Sequence, residues 1–537
     1  MPFYRQTGLI PGRYSAYKVM DTSGTPLCQA KRNPRHIRAY GKYWNSINGL
    51  NVWLRKMQLL DWLIIGIILF INFLAAGHAL LYKRDPKGAW AWIVTCLLVP
   101  TIGPILYYLL GINRVKTRAK KLKWYWPHWD TDLANAGQRL RNTRKSVREF
   151  EISPDFDQLA QLSEALTNRP LFKGNKVKPL YNGEQAYPEM LSAIDQAEES
   201  IYLETFIFDT SNTGVQFVQA LSRARNRGLD VRVIVDGIGE YYSWPRIGKI
   251  LKSAEIPFTR FLPPRLYPPS PFINLRNHRK ILLIDNKCGF TGGMNIGERH
   301  LVAKADNPKR QQDVHFKFSG AVVNQMEEVF LEDWGFCTGD YSRVPRQQVA
   351  SFDHGEAVCR TITVGPNQDL DKLRILLAGV VSQAKKRILI MTPYFLPSKE
   401  LIGALQTAAL KGLEVNVVLP AANNLPYVHW ASRNMLWEIL QCGVRVFYQP
   451  PPFAHSKLFL ADDSYALIGS ANIDPRSLRL NFEMVVEVYD TKLVSMLSGH
   501  VRERISVSHE TTLEEVDSRS LPVRARDSFC WLFSPYL

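Results

Sequence analysis

The stretch RNHRKILLIDNKCGFTGGMN, residues 276–295, decides the fold when it is laid over FAHSKLFLADDSYALIGSAN, residues 453–472. Each carries a histidine, a lysine two residues later and an aspartate five further on: His278, Lys280 and Asp285 in the first, His455, Lys457 and Asp462 in the second. A glycine lies fourteen residues after each histidine (Gly292, Gly469), and Asn295 and Asn472 follow at one shared offset. With 11 histidines in the chain, a chance match to this His-x-Lys-x4-Asp spacing is expected about 0.03 times. Two copies with matching tails therefore mark an internal duplication.

The spacing has a chemical sense. Ile281-Leu282-Leu283-Ile284 and Leu458-Phe459-Leu460 read as buried strands, and period-two geometry puts each motif histidine and lysine on one face. If the two copies pack about a pseudo-twofold axis, a single cleft receives two imidazoles and two ammonium groups. Fixed cations beside the imidazoles repel a divalent ion, so no metal is expected, and they suit a phosphate whose oxygens they neutralise in the transition state. One imidazole can then attack phosphorus while the other protonates the leaving alcohol. We take His278 as nucleophile and His455 as acid, then base, although the symmetry of the motifs leaves the order open. Asp285 and Asp462 count with the motif among the candidate catalytic residues, yet their phase and turn-like surroundings (Asp285-Asn286-Lys287, Asp462-Asp463-Ser464) read as structural. An attacking neutral imidazole needs a partner for its other nitrogen. Asp313 and Glu483, at equivalent places in the two copies, are the candidates, with Asn295 and Asn472 in support.

Outward from the motifs, the duplication extends over whole strand-helix-strand units. Ile201–Phe206 and Gly228–Val235 in the first copy answer to Ile388–Pro393 and Gly412–Leu419 in the second. Short β-branched runs alternating with helical stretches predict an α/β fold built on a buried sheet.

Before the repeats lie two apolar runs, Leu59–Leu81 and about Ala89–Leu110, each long enough to cross a bilayer as a helix. Pro100, Gly103 and Pro104 interrupt the second and allow a kink or a re-entrant path. Both outer flanks are more basic than the loop between the runs, which places both termini in the cytoplasm by the positive-inside rule. The net charge of +18 calls for an anionic partner, nucleic acid or anionic membrane. The membrane hairpin favours lipid. Seven scattered cysteines without zinc spacing fit a reducing compartment. The aromatic tail Phe529-Cys530-Trp531-Leu532-Phe533 either dips into a membrane interface or packs on the second copy.

The paired motifs, with Gly292-Gly293 or Gly469-Ser470 and the asparagines behind them, resemble the phospholipase D superfamily over roughly residues 178–505. The hairpin with Lys83-Arg84-Asp85-Pro86-Lys87-Gly88-Ala89-Trp90, together with Tyr202–Asp209, Phe290–Gly297, Thr392–Pro397 and Phe533–Leu537, is similar to the bacterial cardiolipin synthase branch. The resemblance implies two pseudo-symmetric phospholipase D-like domains, each a mixed sheet flanked by helices, behind a transmembrane helical hairpin. It implies transfer of a phosphatidyl group between two phosphatidylglycerol molecules with release of glycerol, with no metal or other cofactor, in the bacterial inner membrane with the catalytic domains facing the cytoplasm. Plain phospholipase D hydrolysis and a superfamily nuclease are the alternatives. The long basic arm and the run Leu262–Pro269 depart from that branch. The expected division is a basic arm (1–56), the hairpin (57–112), a basic linker with a connecting helix (113–177), first and second catalytic domains (178–345, 346–510) and a tail (511–537).

Overall fold

The computed structural model describes residues 60–83, 86–112, 152–264, 274–342, 355–366, 371–534 and 537. The basic arm, most of the 113–177 linker, the end of the Leu262–Pro269 run, and Pro535 and Tyr536 lie outside the described residues. The chain divides into two compact units, Met1–Ile112 and Asn113–Leu537.

In the first unit, Leu60–Tyr82 forms one helix of 23 residues, about 35 Å long at helical rise and so longer than a hydrocarbon core. Leu63, Phe70, Phe73 and Leu74 point outward. The second apolar run differs from the membrane-length helix expected of it. Its helix, Pro86–Leu98, stops where Pro100 cannot donate to the ladder and Thr101 takes a left-handed backbone (φ 69°). The chain restarts as Ile102–Leu106 and ends in the π turn Tyr107–Gly111. Gly103 permits the fold-back, since a Cβ there would lie 2.3 Å from the Thr95 carbonyl oxygen. Among the described helices one, not two, is long and apolar enough to cross a membrane.

The second unit is built on a mixed sheet of fifteen described strands. In the first half these are β1 (Phe172–Tyr181), β2 (Ser200–Thr205), β3 (Asp230–Asp236), β4 (Phe258–Phe261), β5 (Ile281–Ile284), β6 (Cys288–Gly292) and, past a two-residue β7 (Gln311–Gln312), β8 (Val314–Ser319). The second half supplies β9 (Ala357–Val364), β10 (Arg387–Met391), β11 (Glu414–Pro420), β12 (Arg445–Gln449) and, past a two-residue β13 (Phe453–Ala454) that pairs with β7 outside this sheet, β14 (Leu458–Ala461), β15 (Tyr465–Gly469), β16 (Glu483–Tyr489) and β17 (His509–Thr511). The order β17-β12-β11-β10-β14-β15-β16-β9-β1-β8-β6-β5-β2-β3-β4 reads alike outward from the β9–β1 seam, so the duplication in sequence is a duplication in space.

Every side chain of β5 and β14 is buried, which is why those segments are unbroken apolar runs. Period two sorts them by layer. Ile281 and Leu283 face a core shared by both halves, while Leu282 and Ile284 face one belonging to the first. The helices Val322–Thr338 and Thr491–Ser506 pack in the shared core. A helix ahead of the first half, Asp157–Thr167, belongs to the other half's core. Phe156 and Leu159 pack there with Leu373 and Tyr489, Phe156 stacks on Tyr465 at 5.4 Å, and Ser163 Oγ donates to Glu487 at 2.9 Å.

Candidate active site

β2 and β3 run parallel, as do β10 and β11, and β5 and β14 run antiparallel to them, so the residues just before β5 and β14 emerge beyond the carboxyl ends of β2 and β10. That is where open α/β sheets place ligands. Two backbone clasps fix what emerges. Asn277 bridges Phe482 and the His278 N–H donates to the Phe482 carbonyl at 2.9 Å. In the mirror position β13 pairs with β7, and the His455 N–H donates to the Gln312 carbonyl at 2.7 Å. The next residue on each clasping segment is the acid.

The result is a crossed pair. His278 Nδ1 lies 2.9 and 3.0 Å from the two carboxylate oxygens of Glu483, and His455 Nδ1 lies 2.9 Å from Asp313 Oδ2. Each imidazole thus takes its carboxylate from the other half. A carboxylate only accepts, so Nδ1 carries the proton and Nε2 is left with its lone pair. Lys280 Nζ donates to the His278 carbonyl at 2.7 Å. Lys457 Nζ donates to the His455 carbonyl at 2.5 Å and sits 3.1 and 3.2 Å from the two ring nitrogens of His455.

Burial governs the charges. It lowers the pKa of His278 against the pull of Glu483, and with Lys457 and Lys280 it drives His455 well down. Burial brings Lys280 to about 7 and Lys457 to about 8. It works to raise Glu483, but His278, Lys280 and a hydrogen bond from Ser470 outweigh it and hold that carboxyl below its usual range. Asp313 goes the other way, raised by burial despite Lys457 and His300. The two sites are alike in shape and unequal in electrostatics. The Glu483 side carries the firmer negative charge.

Asp285 and Asp462 touch neither imidazole. Asp285 accepts the N–H groups of Glu198, Glu199 and Ser200 at 2.9, 2.7 and 2.8 Å. Asp462 accepts those of Lys385, Lys386 and Arg387, the closest at 2.7 Å. They staple the turn that follows the motif strand to the start of β2 or β10. Asn295 Oδ1 accepts the Ile207 N–H at 3.1 Å. Asn472 is buried, and its Oδ1 has no hydrogen-bond partner.

Several working residues escaped the sequence. Ser470 Oγ donates to Glu483 at 2.6 Å, with Asn481 Nδ2 behind it at 3.2 Å. The equivalent residue in the first half is Gly293, where a Cβ would come within 2.4 Å of the Asp313 carboxylate. The Gly-Gly and Gly-Ser pairs were the visible trace of this difference. Asp236 accepts the Asn277 N–H at 2.9 Å and pairs with Arg276 at 3.3 Å, holding the approach to His278. Arg279 is buried against Asp333, and Asn277 bonds Glu204. Buried His300 lies 6.3 Å from the His455 ring, centroid to centroid.

Comparison with known proteins gives the family. A protein-family model described as "Cardiolipin synthase, PLD-like domain" matches residues 190–334 and 377–505, and one described as "Phospholipase_D-nuclease N-terminal" matches residues 62–111. The major cardiolipin synthase ClsA of Bacillus subtilis (strain 168) is 30% identical, over 85% of this chain and 95% of its own length. A cardiolipin synthase of Clostridium perfringens (strain SM101 / Type A) is 29% identical over the same shares. Among solved structures, phosphatidylserine synthase of Haemophilus influenzae Rd KW20 shares the fold at 16% identity with a TM-score of 0.53, covering 67% of this chain and 95% of that one.

Proposed function

The chain belongs to the cardiolipin synthase family of phospholipase D-like proteins, and from that premise we propose that it is a phosphatidyltransferase that joins two phosphatidylglycerol molecules into cardiolipin and releases glycerol. The observation that carries the reading is the pair of crossed imidazole–carboxylate contacts flanked by Lys280 and Lys457.

In the first step His278 Nε2 attacks the phosphorus of one phosphatidylglycerol. An N–P bond forms, the P–O bond to the headgroup glycerol breaks, and the departing alkoxide takes a proton from His455. In the second step His455 recovers that proton from a hydroxyl of the second phosphatidylglycerol, whose oxygen attacks the phosphohistidine and breaks the N–P bond. Nothing is oxidised or reduced, and one phosphodiester replaces another. Two contacts favour His278 as the nucleophile. Its partner Glu483 is held ionised, and the Nε2 of His455 already faces an ammonium. His455 rests neutral, but a bound phosphodiester brings negative charge that raises nearby cation pKa values, which loads it for its role as acid. Lys280 and Lys457 face the phosphate oxygens, Asp313 and Glu483 orient the rings, and Asn295 holds the Ile207 backbone behind them.

The membrane-length helix Leu60–Tyr82 anchors the enzyme in a membrane. Within our reading residues 57–112 cross twice, the return path running through the broken helix, with the catalytic halves 178–345 and 346–510 on the cytoplasmic side. The test is purified protein in detergent with phosphatidylglycerol alone, the lipids analysed by mass spectrometry beside a His278→Ala control. Cardiolipin and free glycerol, absent from the control, are the expected products. Phosphatidic acid without cardiolipin would make the protein a hydrolase instead.

A further inference from the structure

The mouth of the site carries more exposed aromatic surface than a water-facing cleft needs. On the first half, Phe206 touches His278 ring to ring at 5.3 Å and Tyr242 at 5.9 Å. Tyr242 thus stands one side chain away from the reacting imidazole. It belongs to a turn in which Tyr241 and Tyr242 are exposed and Trp244 is 79% exposed. Basic groups stand among these rings. The Arg246 guanidinium lies 3.9 Å from the Tyr241 ring centre and Lys249 Nζ 5.3 Å from that of Trp244.

The second half mirrors this. Phe453 contacts His455 at 5.8 Å and Tyr394 at 6.4 Å, and the crossed imidazole–carboxylate contacts join the two halves at one site. The helix Pro426–Arg433, which carries Tyr427, is overlain by the C-terminal helix Leu521–Leu532. Cys530 and Trp531 pack with Leu396, Val428 and Ala431. Ser528 Oγ donates to Asn434 at 2.9 Å and Arg526 covers the Trp430 ring at 4.3 Å. The opposite face of that helix is bare: Phe529 is 62% exposed, and Leu532 and Phe533 are exposed with it. The aromatic tail therefore packs on the second half with one face and leaves the other exposed.

We propose that this rim, with Tyr241, Tyr242 and Trp244 on one side and Phe529, Leu532 and Phe533 on the other, docks onto an anionic bilayer surface and brings the mouth of the site to the phospholipid headgroups. Three observations select a bilayer over a protein partner. The rim adjoins the catalytic cleft, whose substrates are membrane lipids under the reading above, on which this inference rests. Amphipathic tyrosine and tryptophan are the side chains that settle at a membrane–water interface. Arg246 and Lys249 stand against the exposed Tyr241 and Trp244 rings, basic groups of the kind that pair with anionic headgroups. Docking also shields the cleft from bulk water at the moment when a hydroxyl must outcompete water for the phosphohistidine.

The test uses the full-length protein reconstituted in vesicles of phosphatidylglycerol and phosphatidylethanolamine. A photoreactive benzophenone side chain replaces Trp244, Phe529 or Leu410 in turn. Leu410 is also exposed, but it leads into the start of β11, at the opposite end of the strands from the mouth. Irradiation and peptide mass spectrometry are expected to find phospholipid adducts at positions 244 and 529, about tenfold fewer at 410, and a several-fold loss at 244 and 529 when phosphatidylcholine replaces the anionic lipid. Equal yields at all three positions, equal yields in phosphatidylcholine, or cross-links at 244 and 529 that run into this same chain would each overturn the proposal. Repeating the labelling in a His278→Ala background separates it from the functional reading, because docking needs no turnover. Adducts at 244 and 529 in an otherwise wild-type protein that makes no cardiolipin from phosphatidylglycerol would sink the function and leave the docking surface standing.

Discussion

Glu483 and Asp313 differ by one methylene, and the difference is compounded by what stands behind each, Ser470 in one case and Gly293 in the other. Each acid fixes the tautomer and orientation of an imidazole from the opposite half. Glu483→Gln keeps the shape and removes the charge. It should lower the rate of phosphatidyl transfer by about 10²–10⁴-fold, the range of a lost acid–base function, with little change in thermal stability. Combining it with His278→Ala should add almost nothing, since the two residues act as a unit. A rate measured on the single and double variants decides this, and additive losses would mean the two work apart. The lysines predict a pH profile. With Lys280 at about 7 and Lys457 at about 8 in the free protein, each loses its positive charge as pH rises through its value. kcat/KM, which reports free-enzyme groups, should therefore fall as pH rises through that range. kcat should fall later, because a bound phosphodiester keeps both ammoniums charged. A flat kcat/KM up to pH of about 9 would show that the lysines do not hold the substrate.

At the scale of the element, Asp285 and Asp462 matter through backbone. Each sits in a left-handed turn (φ 54° and 52°), a conformation aspartate and asparagine tolerate, and each gathers three N–H groups that would otherwise be orphaned. Asp285→Ala should cost about 3 kcal/mol or more and lower the unfolding temperature. Asp285→Asn, which keeps one acceptor oxygen, should cost less. Equal unfolding temperatures for wild type and the alanine variant would contradict this role. The strand patterns, the duplication and the mixed α/β class were legible because buried parallel strands leave unbroken apolar runs and the motif repeats at fixed spacing. The crossing of the acids was not. Asp313 follows His278 by 35 residues, and a symmetric repeat offers the same acid to its own half or to its neighbour; only the register of the β7–β13 clasp and its mirror decides between them. The second apolar run was legible in part, since Pro100, Gly103 and Pro104 mark where it breaks. Its composition passes for a full span, while one proline and one left-handed threonine end the helix early.

At the scale of the molecule, the halves are joined by more than the β1–β9 seam. The segment from Phe156 to Thr167 is covalently attached ahead of the first half and packed in the core of the second. Phe156→Ala should therefore cost about 3–5 kcal/mol, as buried phenylalanine truncations do. Hydrogen exchange should show the loss of protection in β15 and β16, against which Phe156 stacks, and much less in β2 and β5 of the half next to it in sequence. Loss confined to the first half would refute the assignment.

That same segment sets a timetable. It leaves the ribosome before either half exists, and its apolar face finds its berth only when the chain has grown by roughly another 320 residues, through β16. At ordinary elongation rates that is a wait of about 15 seconds to a minute, spent with Phe156, Leu159 and Leu166 in water. The first half can close its own core meanwhile, but the second cannot finish without a piece made long before it. A nascent chain of this protein therefore has an early element that chaperones or premature partners can capture, and slow translation between β9 and β16 lengthens its exposure.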